Sequence, residues 1–302
     1  MTPPKVFIII LQYNNSKDTI FCLESVLKIN YPDFRIIVID NASDGEHLEN
    51  IRSFIKSQPA VSGRLFLALN MENTGYAGGN NLGIKHALKM GADFIFVLNN
   101  DTLVQPDILQ KLMPRMEFDE EIGIISPAMK ENNLRTYGGK IEWLRTELKH
   151  NLKSPPGSFY YFLDRLSYIP GAAILIRKKV FEKVGLMDER YFLYFEDADY
   201  SLKIRKAGFK LAIMPNVDVT HKVSATTKKL GSPLILRYHT RNALIFNSLR
   251  APFIYKIMIP IWSLFIIIKQ LLKLAFRIKP QESAEILNGV LDFYKDKNGK
   301  IQ

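Results

Sequence analysis

Short apolar runs alternate with segments of helical periodicity over the first third of the chain. The first of these runs is short, continuous and rich in β-branched residues, which is consistent with a strand buried on both faces. The runs comprise residues 6–11, 35–39, 65–69 and 94–98. Ser16 can cap a helix in which Ile20, Leu23 and Leu27 share one face, and a Gly-rich turn opens another helix near 77–90. This alternation predicts an α/β fold with a Rossmann-like, mostly parallel sheet flanked by helices.

The middle of the chain is less regular. Strands are expected at 122–126 and 172–176, and a helix at 196–207 that Gly208 ends. Residues 131–168 are rich in glycine, proline and aromatic residues, which predicts loops and short hairpins over a pocket.

Residues 252–276 are apolar but contain lysines at intervals. The longest uncharged run, 257–268, has 12 residues, whereas a helix needs about 20 to span a bilayer. Trp262 suits the headgroup region of a membrane. We therefore expect a helix that lies on a membrane surface rather than one that crosses it.

Polar side chains follow each of the first four predicted strands. Because parallel strands end at the same edge of a sheet, and ligands bind beyond that edge, these side chains are candidate ligand contacts. The candidate segments are residues 13–15, 40–41, 73–81 and 99–101.

Each of these signals also has a structural interpretation. Asp40 could cap the next helix or accept the N3–H of a uracil or thymine ring. The stretch 73–81 could be a turn with a helix cap, although its glycines favour close approach of a ligand. Residues 99–101 could form a simple turn, or Asp101 could bind a divalent cation that also ligates a diphosphate.

A cluster of acids near a helix start is the next candidate for chemistry. Glu196, Asp197 and Asp199 could simply favour the helix N-terminus, but aromatic neighbours favour a general base whose pKa is tuned. His221 could be structural or could add a metal ligand. Arg241 could pair with phosphate or with a surface carboxylate, and the sequence leaves both open.

The charge balance limits the partners. The 302 residues include 41 Lys and Arg against 30 Asp and Glu, a net charge of +11. An anionic partner is expected: nucleic acid, a membrane surface or a phosphorylated small molecule. The basic residues are interpreted as spread along the chain, which argues against a nucleic-acid-binding protein. The single cysteine, Cys22, predicts a buried thiol in a reducing compartment, and residues 1–15 predict a first strand rather than a signal peptide.

Taken together, the motifs resemble glycosyltransferase family 2, the inverting enzymes with the GT-A fold, and most closely its rhamnosyltransferase-like branch. The resemblance covers about residues 6 to 221. The motifs that carry it are IIILQYNN, IIVIDNASDG, NTGYAGGNNLGI, FVLNNDT, PGAAILIRKKVFEKVG and FLYFEDADYSLKIRKAG.

The resemblance implies roles for individual residues. It implies that Asp40, with Asn41 beside it, contacts the nucleobase, that Gln12, Tyr13 and Asn14 line the nucleoside pocket, and that Gly79 and Asn80 lie beside the donor. Asn99 and Asp101 occupy the ends of the family's D-x-D motif, with Asn100 between them and Asp101 as the metal ligand. His221 would complete the metal site. Asp197 matches the catalytic base, and Glu196 would orient the acceptor.

One departure from the family pattern bears on the metal. The first position of D-x-D is Asn99, an uncharged amide and a weaker ligand for a hard cation than a carboxylate.

The sequence therefore predicts an inverting, metal-dependent glycosyltransferase that uses Mg²⁺ or Mn²⁺. The expected donor is dTDP-L-rhamnose, with a UDP-hexose as the alternative, and the expected acceptor is lipid-linked or an oligosaccharide. A sugar-nucleotide nucleotidyltransferase is disfavoured, because residues 12–17 have no glycine.

The predicted organisation is a catalytic domain at 1–230 and a helical region at 231–302. We expect a cytoplasmic protein, peripheral on the inner face of the cell membrane, with a homo-oligomer left open.

Overall fold

A computed structural model describes most of the chain. The described residues are 2–61, 63–131, 134–154, 161–162, 168–222 and 233–301. The predicted pocket cover at 131–168 lies partly outside these ranges, as does the predicted domain boundary at 230/231.

A mixed sheet forms the centre of the molecule. Ten of the twelve strands in the described residues belong to it, and eight form one continuous order, β10-β12-β6-β11-β4-β1-β2-β3. The ten are β1 (Val6–Gln12), β2 (Phe34–Asp40), β3 (Leu65–Leu69), β4 (Phe94–Asn99), β5 (Thr102–Leu103), β6 (Ile122–Glu131), β7 (Leu134–Thr136), β10 (Tyr161–Phe162), β11 (Ala173–Arg177) and β12 (Lys210–His221). A separate hairpin comprises β8 (Gly139–Glu142) and β9 (Glu147–His150).

Helices cover both faces of the sheet. They are α1 (Ser16–Val26), α2 (Gly45–Lys56), α3 (Gly75–Lys89), α4 (Ile108–Phe118), α5 (Lys178–Val184) and α6 (Glu196–Lys206). Four more follow the sheet: α7 (Pro233–Arg250), α8 (Phe253–Ile257), α9 (Ile259–Ala275) and α10 (Pro280–Tyr294). The predicted α/β class, the four early strands, the strands within 122–126 and 172–176 and the helix at 196–207 are confirmed.

The sheet is parallel where the predicted ligand edge lies. β1 pairs in parallel with β2 on one side and with β4 on the other, so Ile9 lies beside Ile37 and Val97. All three side chains are buried. β11 runs antiparallel to β4 and β6, which makes the sheet mixed rather than wholly parallel.

Two details differ from the sequence-based expectations. The cap of α1 is Asn15, whose side chain accepts from the Asp18 amide, and Ser16 is the first helical residue. Residues 252–276 form two helices, α8 and α9, with Pro260 in the first turn of α9. Proline is tolerated there because the first amides of a helix have no intrahelical acceptor. Among the described helices, none is long and apolar enough to cross a membrane.

Candidate active site

The ends of β1, β2 and β4 bring the first candidates to one edge. Gln12 is in register with Asp40, and Leu11 with Asn99. The edge predicted from the strand pattern is therefore present, with amide and carboxylate side chains on three adjacent strands.

Gln12 and Asp40 form a buried hydrogen-bonded pair. The Gln12 amide donates to Oδ1 of Asp40 at 3.0 Å, and the Ser43 amide donates to Oδ2 at 3.0 Å. Asn14, with φ of 48°, accepts from the Asp44 amide at 2.7 Å. Asp40 therefore fixes the turn after β2, and its carboxylate is held in one orientation by two donors. Contact with a nucleobase stays a prediction, as does the role of the half-exposed Tyr13.

Asn41 uses its side chain within the protein. Its Nδ2 donates to Oδ1 of Asn73 at 2.9 Å and to the Gly75 carbonyl at 3.1 Å. Its Oδ1 accepts from Asn70 at 2.8 Å and from Thr74 at 3.2 Å. These contacts join β2 to the loop before α3, and contact of Asn41 with a donor stays a prediction.

Gly79 is a packing residue. A Cβ there would lie 2.3 Å from Leu11 Cδ1, so only glycine lets α3 lie this close to β1. The neighbouring Asn80 is buried and donates to the Tyr76 carbonyl at 3.0 Å. Its Oδ1 has no hydrogen-bond donor among the described residues. Asn80 therefore offers an unsatisfied acceptor close to the predicted donor site.

The start of α3 is joined to the segment before α6. A Cβ on Gly75 (φ +74°) would lie 2.2 Å from the Phe192 carbonyl oxygen, which itself accepts from the Tyr76 amide at 2.7 Å. The Tyr76 hydroxyl donates to the Gly171 carbonyl at 2.7 Å. The Gly-rich turn thus positions the loops that carry the acidic cluster.

Asp101 and His221 lie side by side although 120 positions separate them. β5 pairs antiparallel with β12, and this places His221 Nε2 3.0 Å from Asp101 Oδ1. That oxygen is buried and receives no well-aligned hydrogen bond from the described residues. The structure thus brings the two predicted metal ligands together, and their binding of one cation stays a prediction.

Glu131 belongs to the same cluster, and the sequence analysis did not predict it as a site residue. Its Oε1 lies 2.5 Å from His221 Nδ1, and this hydrogen bond lowers the pKa of Glu131. Burial lowers the pKa of His221, but the neighbouring carboxylates of Asp101 and Glu131 outweigh burial and raise it to about 9. Because Glu131 lies 90 positions before His221 at the end of β6, only the strand pairing brings them together.

These residues fit a divalent cation in part. Carboxylate oxygen and imidazole nitrogen are suitable ligands, and a ligating histidine commonly donates its other ring N–H to a carboxylate, as His221 does to Glu131. No group of three or more His, Cys, Asp and Glu side chains within the described ranges forms a complete site. Asp101 and His221 would therefore share a cation with a ligand's own oxygens and with water.

The remaining residues of this turn contact the protein. Asn100 donates to Thr19 Oγ1 at 2.9 Å, and the Asn99 carbonyl accepts from Thr102 Oγ1 at 2.6 Å. The turn also contacts the buried Cys22, whose thiol lies 3.6 Å from that carbonyl. Both amides lie at the predicted edge, and their contact with a donor stays a prediction.

Glu196 and Asp197 open α6 in different surroundings. Asp197 is partly exposed and accepts from the amides of Gly171 at 3.1 Å and Ala198 at 2.7 Å. Glu196 is buried, and its Oε2 has no hydrogen-bond partner among the described residues. Gly171 lies between Tyr76 and Asp197, since a Cβ there would be 2.8 Å from Tyr76 Oη and 3.4 Å from Asp197 Cβ. The absence of a side chain therefore permits this close packing. Gly171 and Tyr76 are thus positioning residues that the sequence pattern did not single out.

Burial raises the pKa of both acids. The pKa of Glu196 rises to about 8 because its carboxyl group is desolvated and lies beside Asp197. Burial also raises the pKa of Asp197, while the amides of Ala198 and Gly171 oppose that rise. The two amides therefore make Asp197 the better carboxylate of the pair, and burial favours the protonated form of Glu196.

The backbone before α6 is strained. Phe192, Tyr194 and Phe195 have φ values of 61°, 68° and 75°, a region that bulky L-residues rarely adopt. Such conformations persist only where the surrounding structure imposes them, and they cluster at functional sites. This backbone conformation places the start of α6, with Glu196 and Asp197, beside the start of α3.

Asp199 and Arg241 lie behind this edge. Asp199 is fully buried and accepts from Tyr191 Oη at 3.0 Å and Arg250 Nε at 2.5 Å, a structural ion pair. Arg241 is also fully buried and donates to Asn242 and to the Tyr191 carbonyl. The sequence left open whether Arg241 pairs with a phosphate or with a surface carboxylate. Its complete burial contradicts both predictions. Its role is to support the segment before α6.

This arrangement agrees with the comparison to known proteins. The model of the family described as "Glycosyl transferase family 2" matches residues 7–185. The chain belongs to glycosyltransferase family 2. The matched range includes β1 to β4 with their polar ends, Asp101 and Gly171.

Two curated relatives of this glycosyltransferase are rhamnosyltransferases. The dTDP-rhamnosyl transferase RfbF of Shigella flexneri is 23% identical over 267 residues, which is 86% of each chain. The N-acetylglucosaminyl-diphospho-decaprenol L-rhamnosyltransferase of Mycobacterium tuberculosis is 23% identical over 162 residues, 49% of this chain and 52% of that protein. The resemblance to the rhamnosyltransferase-like branch is confirmed.

A solved relative shares the fold of this glycosyltransferase. The mannosyltransferase PcManGT from Pyrobaculum calidifontis, in complex with GDP-Man and Mn²⁺, superposes with a TM-score of 0.60 at 15% identity. The match covers 99% of this chain and 89% of that one. The predicted GT-A fold is confirmed.

Proposed function

We propose that this family 2 enzyme transfers a sugar, with inversion, from a nucleotide diphosphate-sugar to an acceptor hydroxyl. The observation that carries the proposal is that the structure contains two groups suited to sugar transfer. One is the Asp101–His221 pair at 3.0 Å, and the other is the partly exposed Asp197 on α6.

The proposed donor is dTDP-L-rhamnose, and a UDP-hexose is the alternative. The name of the Shigella flexneri relative supports the first, since it matches this chain over 86% of both lengths. Asp40 would accept from the N3–H that uracil and thymine share, so the base alone does not distinguish the two donors. Gln12, Tyr13, Asn14 and Asn99 would complete the nucleoside site.

The chemical step is a single displacement at the anomeric carbon. Asp197 takes the proton of the acceptor hydroxyl while that oxygen attacks the anomeric carbon. The bond from that carbon to the diphosphate oxygen breaks, and the leaving diphosphate takes the electron pair. Attack from the opposite face inverts the anomeric configuration.

The neutral Glu196 assists without competing for that proton. A protonated carboxyl group can donate a hydrogen bond, so Glu196 would orient the acceptor or a neighbouring group. The amides of Gly171 and Ala198 hold the Asp197 carboxylate in place, which restricts its rotation before the acceptor binds.

Asp101 and His221 would hold a divalent cation, Mg²⁺ or Mn²⁺. When bound, such a cation supplies Lewis-acid neutralisation of the charge that develops on the diphosphate. Glu131 would accept a hydrogen bond from His221 Nδ1 and so leave Nε2 directed towards Asp101 and the cation. The solved mannosyltransferase that contains Mn²⁺ supports this assignment for the fold.

The proposed acceptor is lipid-linked or an oligosaccharide of a bacterial surface glycan. The name of the Mycobacterium tuberculosis relative, which acts on a decaprenol-linked sugar, supports the lipid-linked form. We further propose that the enzyme works at the cytoplasmic face of the membrane. Its proposed organisation is a catalytic domain at 1–230 and a helical region at 231–302.

Donor binding can be tested with the full-length protein by thermal shift in Mn²⁺. We expect dTDP-L-rhamnose or one UDP-hexose to raise the melting temperature, because a ligand at about 100 times its Kd adds about 2.7 kcal/mol of stability. Asp101→Asn should lose the shift, and Met71→Ser, a change at a fully exposed side chain, should keep it. A panel in which no nucleotide sugar shifts the wild-type protein would contradict the proposal.

A further inference from the structure

Helix α9 exposes its apolar residues and buries polar ones. Ser263 and Gln270 are buried, at 1% and 5% exposure, and an oxygen of each has no hydrogen-bond partner among the described residues. In contrast, Ile261, Leu264, Phe265, Ile268, Leu271 and Leu272 are each at least half exposed. A helix on the surface of a water-soluble protein normally has the opposite arrangement. We call these six exposed side chains the apolar face.

The apolar face is one continuous stripe. Its members recur at intervals of three and four residues, which places them on one side of a helix with 3.6 residues per turn. Phe253 of α8 and Phe276 at the end of α9 extend it at 78% and 74% exposure. Exposed apolar patches of this extent on a monomer mark a surface that another component covers.

The charged side chains in the stretch of sequence that contains this stripe are all basic. Residues 219–281 contain eleven Lys and Arg and neither Asp nor Glu, so the rest of the chain has 30 of each sign. The basic residues are thus spread along the chain as interpreted, but the net positive charge is concentrated in this stretch because it contains no acid. Lys269 and Lys273, four residues apart on α9, run along one border of the apolar face, and Arg277 follows them.

We infer that the apolar face docks on a membrane surface that contains anionic lipids. The apolar side chains would enter the acyl boundary, and the lysines would keep their aliphatic stems on it while their ammonium groups meet lipid phosphates. A second copy of this chain fits less well. A two-fold dimer would place the same face on itself and bring Lys269 and Lys273 of one copy near those of the other.

Vesicle binding by the full-length protein tests this inference. We expect the wild type to sediment with vesicles of phosphatidylcholine and phosphatidylglycerol at low salt, and to dissociate as salt rises. Phe265→Ser/Ile268→Ser should weaken binding about a hundredfold, because each inserted side chain is worth about tenfold. Both residues are half exposed, so the fold should tolerate the change. Met71→Ser/Phe118→Ser, at exposed apolar residues far from α9 in the sequence, is the matched control and should bind normally.

A charge variant separates the two contributions. Lys269→Gln/Lys273→Gln should lower affinity for the anionic vesicles by about fivefold per lysine and leave the weak binding to pure phosphatidylcholine unchanged. Equal losses on both lipids would contradict the proposed lipid charge preference.

Two outcomes would overturn the inference. One is a wild-type protein that does not bind anionic vesicles at low salt. The other is a wild-type dimer in analytical ultracentrifugation that Phe265→Ser/Ile268→Ser converts to a monomer while vesicle binding is absent, which would assign the face to a second copy. Sugar transfer is not part of this readout, so failure here leaves the proposed function in place.

Discussion

Glu196 and Asp197 are neighbours in sequence and differ in what surrounds them. Asp197 receives two backbone amides, whereas Glu196 is buried with one oxygen unpartnered among the described residues. Two carboxyl groups this close do not both ionise readily, and the one with better hydrogen-bond donors keeps the charge. The pair therefore divides into a base and a neutral acid, which is how adjacent acids take separate roles.

The raised pKa of Glu196 predicts how stability depends on pH. Its pKa is about 8 in the folded protein against an ordinary value of 4.5, so the folded state binds the proton more tightly. The stabilisation is complete below about pH 4.5 and is lost as pH rises towards about 8. Glu196→Gln should flatten the fall in melting temperature over this range. Glu182→Gln, at an exposed acid on α5, should keep the wild-type slope, and identical slopes in wild type and Glu196→Gln would contradict the assignment.

Glu131 should affect the metal without touching it. Glu131→Gln keeps the shape of the side chain but removes the charge that fixes His221, and loss of such a partner weakens metal affinity by about 10- to 100-fold. Titration of Mn²⁺ into the full-length protein with a nucleoside diphosphate, followed by electron paramagnetic resonance, measures this. The same midpoint in wild type and Glu131→Gln would reject the positioning role.

Helix α7 supports the acidic cluster from behind. Asn242 donates to the carbonyls of Tyr191 and Leu193, both at 2.7 Å. Arg250 pairs with the buried Asp199, two residues after Asp197. The helical region at 231–302 is therefore joined to the strained backbone of the site through specific polar contacts.

The Arg250–Asp199 pair predicts a large loss of stability. Arg250→Met leaves the fully buried Asp199 without its cation, and breaking a buried pair in this way costs about 3–5 kcal/mol. Lys111→Met breaks an exposed pair with Asp107 on α4 and should cost no more than about 1 kcal/mol. Urea unfolding gives both values. A loss for Arg250→Met no larger than for Lys111→Met would contradict the structural role.

The sequence predicted best the strands that are buried on both faces. β1, β2 and β4 match their predicted runs to within one residue at each end, because a central parallel strand needs a continuous apolar run. β3 also matches its run, although it ends the described strand order and only Leu65 in it is buried. Gly208, with φ of +90°, follows α6 as predicted, because glycine adopts this conformation without strain.

Other features depend on contacts between distant parts of the chain. The bond between Glu131 and His221 follows from strand pairing, which no local pattern specifies. The burial of Arg241 likewise depends on where α7 packs. The division of residues 252–276 into two helices could have been predicted from Pro260, since proline favours the first turn of a helix.

At the scale of the whole molecule, the excess positive charge and the apolar face of α9 belong to the same stretch of the chain. Outside residues 219–281 the chain has 30 acidic and 30 basic residues, so the net charge of +11 belongs to that stretch. The contacts of α7 join this basic region to α6. An enzyme held at a membrane by α9 would therefore have its general base on an element linked to the membrane-binding part, which suits a lipid-linked acceptor.

The central claim is that Asp197 is the general base of a nucleotide-sugar transferase. The measurement is nucleoside diphosphate release from dTDP-L-rhamnose and UDP-hexoses by wild type, Asp197→Asn and Glu196→Gln, alongside the donor Kd. We predict that Asp197→Asn lowers turnover by about 10² to 10⁴ with nearly unchanged donor affinity, while Glu196→Gln costs less. Near-normal turnover in Asp197→Asn beside an inactive Glu196→Gln would contradict the claim and assign the base to Glu196.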